Sequence, residues 1–114
     1  MKRVLIMLAV IGISVTLAGS ALAQDKVQIE RGMKVYADQK CSLCHAIEGR
    51  GNAKGKLDGV GAKLKADEIR EWVVNPTEMA TKAKADRKPP MKAYANLSKE
   101  DLDALVAYIS SLKK

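Results

Sequence analysis

Apolar residues recur at helical spacing in three stretches of the chain, and the last of these stretches is the clearest. Ser98 precedes it as a typical N-cap residue, with Asp101 at the third position of the helix that would follow. An apolar stripe then occupies one side of this helix, formed by Leu102, Leu105, Val106, Ile109 and Leu112. The pattern predicts a C-terminal helix that packs this stripe into the core.

A shorter helix is predicted over residues 67–75. One of its sides carries Ile69, Trp72 and Val73. Pro76 is expected to end this helix, because proline has no N–H for the next hydrogen bond and its ring clashes with the preceding turn. The following residues, 77–95, are predicted to be irregular and to wrap around another group. Five basic residues crowd around Pro89-Pro90-Met91 in this stretch, namely Lys82, Lys84, Arg87, Lys88 and Lys92.

The first helix is predicted to start at a cap within residues 25–28 and to run into the cysteines. Its predicted apolar face comprises Ile29, Met33, Tyr36 and Ala37. Residues 46–64 are predicted to be a loop because they are rich in glycine, with Gly49, Gly51, Gly55, Gly59 and Gly61. No stretch alternates as a strand would, and no repeat is visible, so the predicted class is all-α.

The first 23 residues have the features of an export signal. Lys2 and Arg3 give a basic start, an apolar run follows, and Ala21-Leu22-Ala23 supplies the small residues that signal peptidase accepts. Cleavage is predicted before Gln24, which leaves residues 24–114 as one mature domain located in a bacterial periplasm. A retained membrane anchor is the alternative, because residues 4–23 are about long enough to cross a bilayer.

The mature chain has few large apolar side chains for a core of its own. Cleavage leaves 91 of the 114 residues, and these include no Phe, one Trp and three Tyr. Domains of this size gain little stability from apolar burial alone. A buried cofactor would supply the missing apolar surface.

The candidate chemistry lies in Cys41-Ser42-Leu43-Cys44-His45, a C-x-x-C-H pentapeptide of the kind that attaches c-type haem. Two cysteines at this spacing on a helical turn point to the same side, so they can form thioethers with the two vinyl groups. The adjacent His45 then projects toward the iron as a ligand. The pattern predicts one covalently bound haem c.

Three other interpretations of this pentapeptide are weaker. A structural zinc site takes four ligands, but these two cysteines and this histidine are the only ones in the chain. A thioredoxin-like redox pair would be expected beside a βαβ unit, and none is predicted. A disulfide between such close residues would constrain the unfolded chain little.

The sixth iron position needs a second donor, for which the candidates are Met33, Met79, Met91, a lysine or no protein ligand. Two prolines stiffen the chain before Met91, which suits a weak thioether ligand that must be held in place. Met33 falls on the predicted core face of its helix. Met91 is therefore the preferred ligand, with Met79 as its competitor.

The chain resembles the small monohaem class I cytochromes c over nearly all of its mature length. Gly32-x-x-x-Tyr36 is similar to the first helix of that family, and Tyr108 to the aromatic residue at the crossing of the last helix. Trp72-Val73-Val74-Asn75-Pro76, followed later by Pro90-Met91, is similar to the family's middle helix and methionine loop. The resemblance implies a cytochrome c fold, with three main helices and long loops around one haem, and it implies His45 and Met91 as axial ligands.

The chain departs from the family at one position of the loop after the haem motif. The family usually has Gly-Pro there, and the proline carbonyl accepts a hydrogen bond from Nδ1 of the haem histidine. This sequence has Gly55-Lys56 instead. The carbonyl that serves His45 is therefore not identified by the sequence.

The expected function is that of a diffusible, monomeric one-electron carrier and not of an enzyme, since two protein ligands leave no iron position for a substrate. An enzyme or gas sensor would need an open sixth position, and a third possibility is a subunit of a larger oxidoreductase. Cleavage lowers the formal net charge from +7 to +5, and two haem propionates would bring it near +3. No nucleic-acid motif accompanies the lysines, so they indicate either a docking face for acidic redox partners or ordinary solvation.

Overall fold

The computed structural model describes residues 18–114, with side chains from residue 25 onward. Within that range the chain forms five α-helices, a two-stranded hairpin and two short 3-10 turns. The helices are α1 Ala18–Asp38, α2 Val60–Lys63, α3 Ala66–Val74, α4 Pro76–Ala83 and α5 Lys99–Ser110. The antiparallel strands are β1 Ala46–Ile47 and β2 Arg50–Gly51, and the 3-10 turns are Cys41–Leu43 and Ala53–Gly55.

The predicted export segment, residues 1–23, lies outside the residues whose side chains are described. Cleavage before Gln24 and the alternative of a retained anchor therefore stay predictions. Among the described helices, none combines the length and the apolar character needed to cross a membrane.

Helix α5 forms as its sequence predicts. The Ser98 hydroxyl accepts a hydrogen bond from the Asp101 N–H at 3.1 Å, which satisfies one of the free donors of the first turn. The side of α5 that faces the core is buried and consists of Ala104, Leu105, Val106 and Ile109. Burial of this stripe makes α5 the helix around which the other elements pack.

Helix α3 confirms the predicted helix over residues 67–75 to within one residue, and Ile69 and Val73 are buried. Its first turn is closed by Glu68, whose carboxylate accepts the N–H of Lys65 at 3.1 Å. The prediction that the chain becomes irregular after Pro76 is wrong for residues 76–83. Pro76 is the first residue of α4, a position where its missing N–H costs nothing and its fixed φ suits a helix.

Helix α1 begins at Ala18 and not at a cap within residues 25–28, so that prediction is wrong. Its predicted core face is correct only in part, because Ile29 and Tyr36 are partly buried but the other two residues are not. Met33 is 50% exposed and Ala37 is exposed, whereas Gly32 and Val35 are buried. The apolar pattern does not indicate this part of the face, because the residue that meets α5 is Gly32 and a glycine has no side chain for the pattern to include. Met33 therefore does not lie on the core face.

The crossing of α1 and α5 depends on Gly32. A Cβ at this position would overlap the carbonyl oxygen of Ala104 and the Cβ of Tyr108, so only glycine allows the two backbones to come this close. One turn further along α1, the rings of Tyr36 and Tyr108 meet edge to face, with centroids 5.9 Å apart and planes at 79°. The crossing implied by the family resemblance is thus present.

The core joins α1, α3 and α5, as an all-α class requires. Its buried members are Val35, Ile47, Ile69, Val73, Leu105, Val106 and Ile109. Two short helices, α2 and α4, add to the three that the sequence predicts. Helix α2 and the hairpin lie within residues 46–64, which are therefore not wholly a loop, and the Gly61 N–H bonds to the Leu112 carbonyl at 2.8 Å.

Candidate functional site

The pentapeptide from Cys41 to His45 follows directly on the end of α1. Lys40 takes the left-handed conformation, with φ of 57°, and turns the chain into the 3-10 turn Cys41–Leu43. The Cys41 carbonyl then accepts the N–H groups of Cys44 at 3.1 Å and of His45 at 2.9 Å. This compact turn holds the two cysteines and the histidine at the edge of the core.

The two cysteines differ in their surroundings. Cys41 is partly buried and lines an apolar cleft, and burial raises the pKa of its thiol. Cys44 is exposed and does not line the cleft. The two thiols are free and are not joined to each other.

His45 is oriented by a single backbone hydrogen bond. Its Nδ1 lies 2.9 Å from the carbonyl oxygen of Gly55, so Nδ1–H donates and Nε2 is the nitrogen left for a metal. Burial lowers the pKa of His45, and the positive charge of Arg87 lowers it further, while the bond to Gly55 acts in the opposite direction. The acceptor is therefore the carbonyl of Gly55, one residue before Lys56, which stands where the family usually has the proline whose carbonyl accepts this bond.

Gly55 is the residue that allows this bond to form. A Cβ on Gly55 would overlap the carbonyl oxygen of Cys44 and would lie 3.0 Å from Nδ1 of His45. The space between the loop and the histidine is thus large enough for glycine alone. Lys56, where the family usually has proline, does not prevent the interaction.

Asn52 fixes the loop that carries Gly55, and the sequence analysis did not identify it. Its side-chain oxygen accepts the Lys54 N–H at 3.0 Å, and its Nδ2 donates to the Leu43 carbonyl at 3.2 Å. Its own N–H lies 3.0 Å from the His45 carbonyl. The available signal was an asparagine among glycines, which is typical of a turn residue but does not indicate its partners.

An apolar cleft of about 250 Å³ lies between the pentapeptide, the core helices and the methionine loop. Cys41, His45 and Met91 all line it. Met33 and Met79 lie outside its lining. The remaining walls are apolar or aromatic and come from Tyr36, Leu57, Val60, Leu64, Ile69, Trp72, Val73, Tyr94, Leu105 and Ile109.

These donors fit a haem better than a bare metal ion. An imidazole and a thioether in one apolar cleft are the pair that ligates iron in many electron-transfer haem proteins, and a thiol beside them can bind a vinyl group. An apolar macrocycle would cover the walls that the small core leaves exposed. The residues present therefore suit the group that the pentapeptide predicts.

Residues 82–92 are exposed except for the partly buried Met91, and we call them the basic segment. Three of its five cations have a partner within the described part of the chain. Lys82 pairs with Glu78 at 3.1 Å, and the Lys92 ammonium lies 5.2 Å from the centre of the Tyr94 ring. Arg87 lies against Gly55. Lys84 and Lys88 are in none of the described ion pairs.

Comparison with known proteins gives one family and one relative. The family model described as cytochrome c matches residues 29–113. The chain is also similar to cytochrome c oxidase subunit 2 of Alkalihalophilus pseudofirmus, with 28% identity over 92 residues. That alignment covers 73% of this chain and 25% of the relative, so the chain spans about a quarter of the length of the curated relative it matches. No solved structure matches the chain.

Proposed function

The chain belongs to the cytochrome c family, and from this premise we propose that it is an exported one-electron carrier with one covalently bound haem c. Cys41 and Cys44 would form the thioether bonds, and His45 and Met91 would be the ligands that hold the iron. The observation that carries the proposal is that His45, with its Nδ1 already bonded, shares one apolar cleft with Met91 and Cys41.

The two cysteines attach the cofactor without any outside oxidant. Each thiol adds across one vinyl group, so that sulfur bonds to one vinyl carbon and the proton goes to the other. The partly buried Cys41 lines the cleft, and Cys44 is exposed. One attachment would then lie inside the protein and the other at its surface.

His45 and Met91 hold the iron in both of its oxidation states. When bound, the haem iron supplies the chemistry by alternating between Fe(II) and Fe(III). The Gly55 carbonyl keeps the imidazole ring in one orientation, because Nδ1–H has no freedom to seek another acceptor. Met91 supplies a soft thioether, which favours the reduced state and raises the potential.

The methionine loop is anchored to the core close to Met91. The Tyr94 N–H donates to the Val73 carbonyl at 2.9 Å, which joins the loop to the end of α3. Pro89 and Pro90 limit the backbone freedom on the other side of Met91. A thioether binds iron weakly, so a loop that is fixed on both sides reduces the entropy lost when the bond forms.

The cleft walls exclude water from the iron. Ile69, Val73 and Leu105 are buried, and Trp72 covers the cleft from α3. Trp72 and Tyr36 act as packing residues in this account and not as electron relays. A dry, preorganised site changes little between oxidation states, which suits rapid electron transfer.

The proposed partners are redox proteins with acidic docking faces, which this protein would meet as a monomer in the periplasm. Support for this part comes from the exposed basic segment, in which Lys84 and Lys88 remain available. Attraction of this kind speeds encounter and weakens as ionic strength rises.

A second candidate is a role as a subunit or domain of a larger oxidoreductase. The observation that favours it is the similarity to an oxidase subunit, of which the chain covers a quarter. Gel filtration of the purified holoprotein distinguishes the two, since a carrier elutes as a monomer and a subunit elutes with its partners.

The axial ligand is tested by comparing Met91→Ala with Met79→Ala in the haem-loaded protein. The Met91→Ala protein is expected to lose the ferric absorption band of a methionine–iron bond and to bind carbon monoxide when reduced, because its sixth position is open. Met79→Ala is the matched control and is expected to keep the band, since Met79 lies on α4 outside the cleft. The opposite pattern would assign the ligand to Met79 and contradict the proposal.

A further inference from the structure

Arg87 belongs to the same irregular stretch as Met91, but its guanidinium reaches the loop that serves His45. A Cβ on Gly55 would overlap Nη1 of Arg87 as well as the Cys44 carbonyl oxygen, so the guanidinium tip packs directly on the Gly55 backbone. Gly55 is also the residue whose carbonyl accepts the His45 Nδ1–H. The guanidinium of Arg87 and the hydrogen bond that orients His45 are therefore both in contact with Gly55.

Arg87 forms no ion pair with a carboxylate among the described residues. Four ion pairs occur in the part of the chain that the structure describes, and none of them includes Arg87. The residue as a whole is exposed, yet its tip is the part nearest to Gly55. The guanidinium of Arg87 thus lies beside the histidine side of the cleft without an ion pair among the described residues.

We propose that Arg87 is a positioning residue that raises the reduction potential of the haem through its charge beside the His45–Gly55 hydrogen bond. The inference rests on the proposed function, since it takes His45 as an iron ligand. The oxidised iron carries one more positive charge than the reduced iron. A fixed cation nearby therefore destabilises the oxidised form more than the reduced form.

The hydrogen bond to Gly55 gives this effect a second route. Donation from Nδ1–H makes the imidazole a more basic ligand, which favours the oxidised iron. A guanidinium beside the accepting residue opposes this donation electrostatically. Both routes act in the same direction, so removal of the charge is expected to lower the potential.

The test is a redox titration of four haem-loaded proteins at low ionic strength, where a partly exposed charge is least screened. They are the unchanged protein, Arg87→Gln, Arg87→Lys and Lys84→Gln. The last variant removes the same formal charge seven residues before Met91, at the end of α4. Arg87→Gln is expected to lower the potential more than Lys84→Gln, and Arg87→Lys to restore part of the difference.

A second readout separates this role from a merely structural one. The ring protons of the histidine ligand give shifted NMR signals in the oxidised protein, and these signals are expected to move in Arg87→Gln but not in Lys84→Gln. Equal shifts of potential in the two glutamine variants, or a raised potential in Arg87→Gln, would overturn the inference and leave the proposed function intact. If Arg87→Gln does not fold, Arg87→Met removes the same charge and takes its place in the titration, with Lys84→Met as its control, and equal shifts of potential in these two variants would also overturn the inference. An unchanged protein that binds no haem would overturn both.

Discussion

Lys56 occupies a position where related proteins usually have proline, and its backbone already has a conformation that proline can adopt. Its φ is −59°, within the range that the proline ring imposes, and its N–H donates to no backbone acceptor in the described part of the chain. The preceding residue is Gly55, which lacks the Cβ that clashes with a following proline. Lysine in place of proline at this position therefore affects the conformational freedom of the unfolded chain more than the geometry of the folded site.

Lys56→Pro is expected to stabilise the holoprotein by about 0.4–1 kcal/mol, because it reduces the freedom of the unfolded chain without a loss in the folded one. The midpoint of urea unfolding measures this change. Lys54→Pro is the matched control: the Lys54 N–H bonds to the Asn52 side chain at 3.0 Å, so this variant is expected to be less stable than the unchanged protein. Equal losses of stability in Lys56→Pro and Lys54→Pro would show that the loop does not have the described geometry.

Gly32 and Met33 are adjacent in sequence, but the structure gives them opposite importance. Gly32→Ala is expected to destabilise the protein by about 1–3 kcal/mol, because the added Cβ would overlap the backbone of α5 and force the helices apart. Met33→Ala is expected to change stability by no more than about 0.5 kcal/mol, since half of that side chain is exposed. Thermal unfolding of the two holoproteins measures the difference. A larger loss in Met33→Ala would support the face predicted from the sequence instead.

Helices α3 and α5 could be predicted from the sequence because an apolar stripe and a clear boundary residue coincide in each, whereas α4 could not. Helix α5 has Ser98 and a continuous stripe, and α3 has Ile69 and Val73 with Pro76 immediately after it. Helix α4 was missed because Pro76 was interpreted only as an end, although the same residue also suits the first position of a helix. Proline alone does not distinguish these two outcomes.

The contact between α3 and α5 includes an ion-pair cluster that is sensitive to acid. The Asp103 carboxylate of α5 lies 2.7 Å from Lys99 and 2.6 Å from Arg70 of α3. The hydrogen bonds from Lys99 and Arg70 hold the pKa of Asp103 below its usual value of 3.8. A carboxyl group whose pKa is lowered by folding contributes stability above its unfolded pKa and loses it as pH falls through the folded one.

Asp103→Asn is therefore expected to be less stable than the unchanged protein at neutral pH, and the difference is expected to shrink as pH falls below about 4. Urea midpoints of the two holoproteins across this range measure it. Asp86→Asn is the control, because none of the ion pairs among the described residues includes Asp86. A difference that persists unchanged at low pH would show that Asp103 acts through shape and not through charge.

The described part of the chain, residues 18–114, is a small set of helices around an apolar cleft, and the sequence predicts that arrangement better than its details. The pentapeptide at residues 41–45 and the prolines before Met91 carry strong local signals, and both Met91 and His45 line the cleft. Contacts between distant segments carry no such signal. The approach of Arg87 to Gly55 and the role of Asn52 arise from loops that meet only in the folded chain.

The account depends on a haem bonded to the cysteines, and the exported protein's mass after denaturation tests this most directly. Unfolding removes a haem that is held only by packing or by iron ligands, whereas thioether bonds survive. The expected mass is that of residues 24–114 plus one haem, and the double variant Cys41→Ala, Cys44→Ala is expected to lack the added mass. A folded, exported protein whose mass equals that of the polypeptide alone would contradict the account.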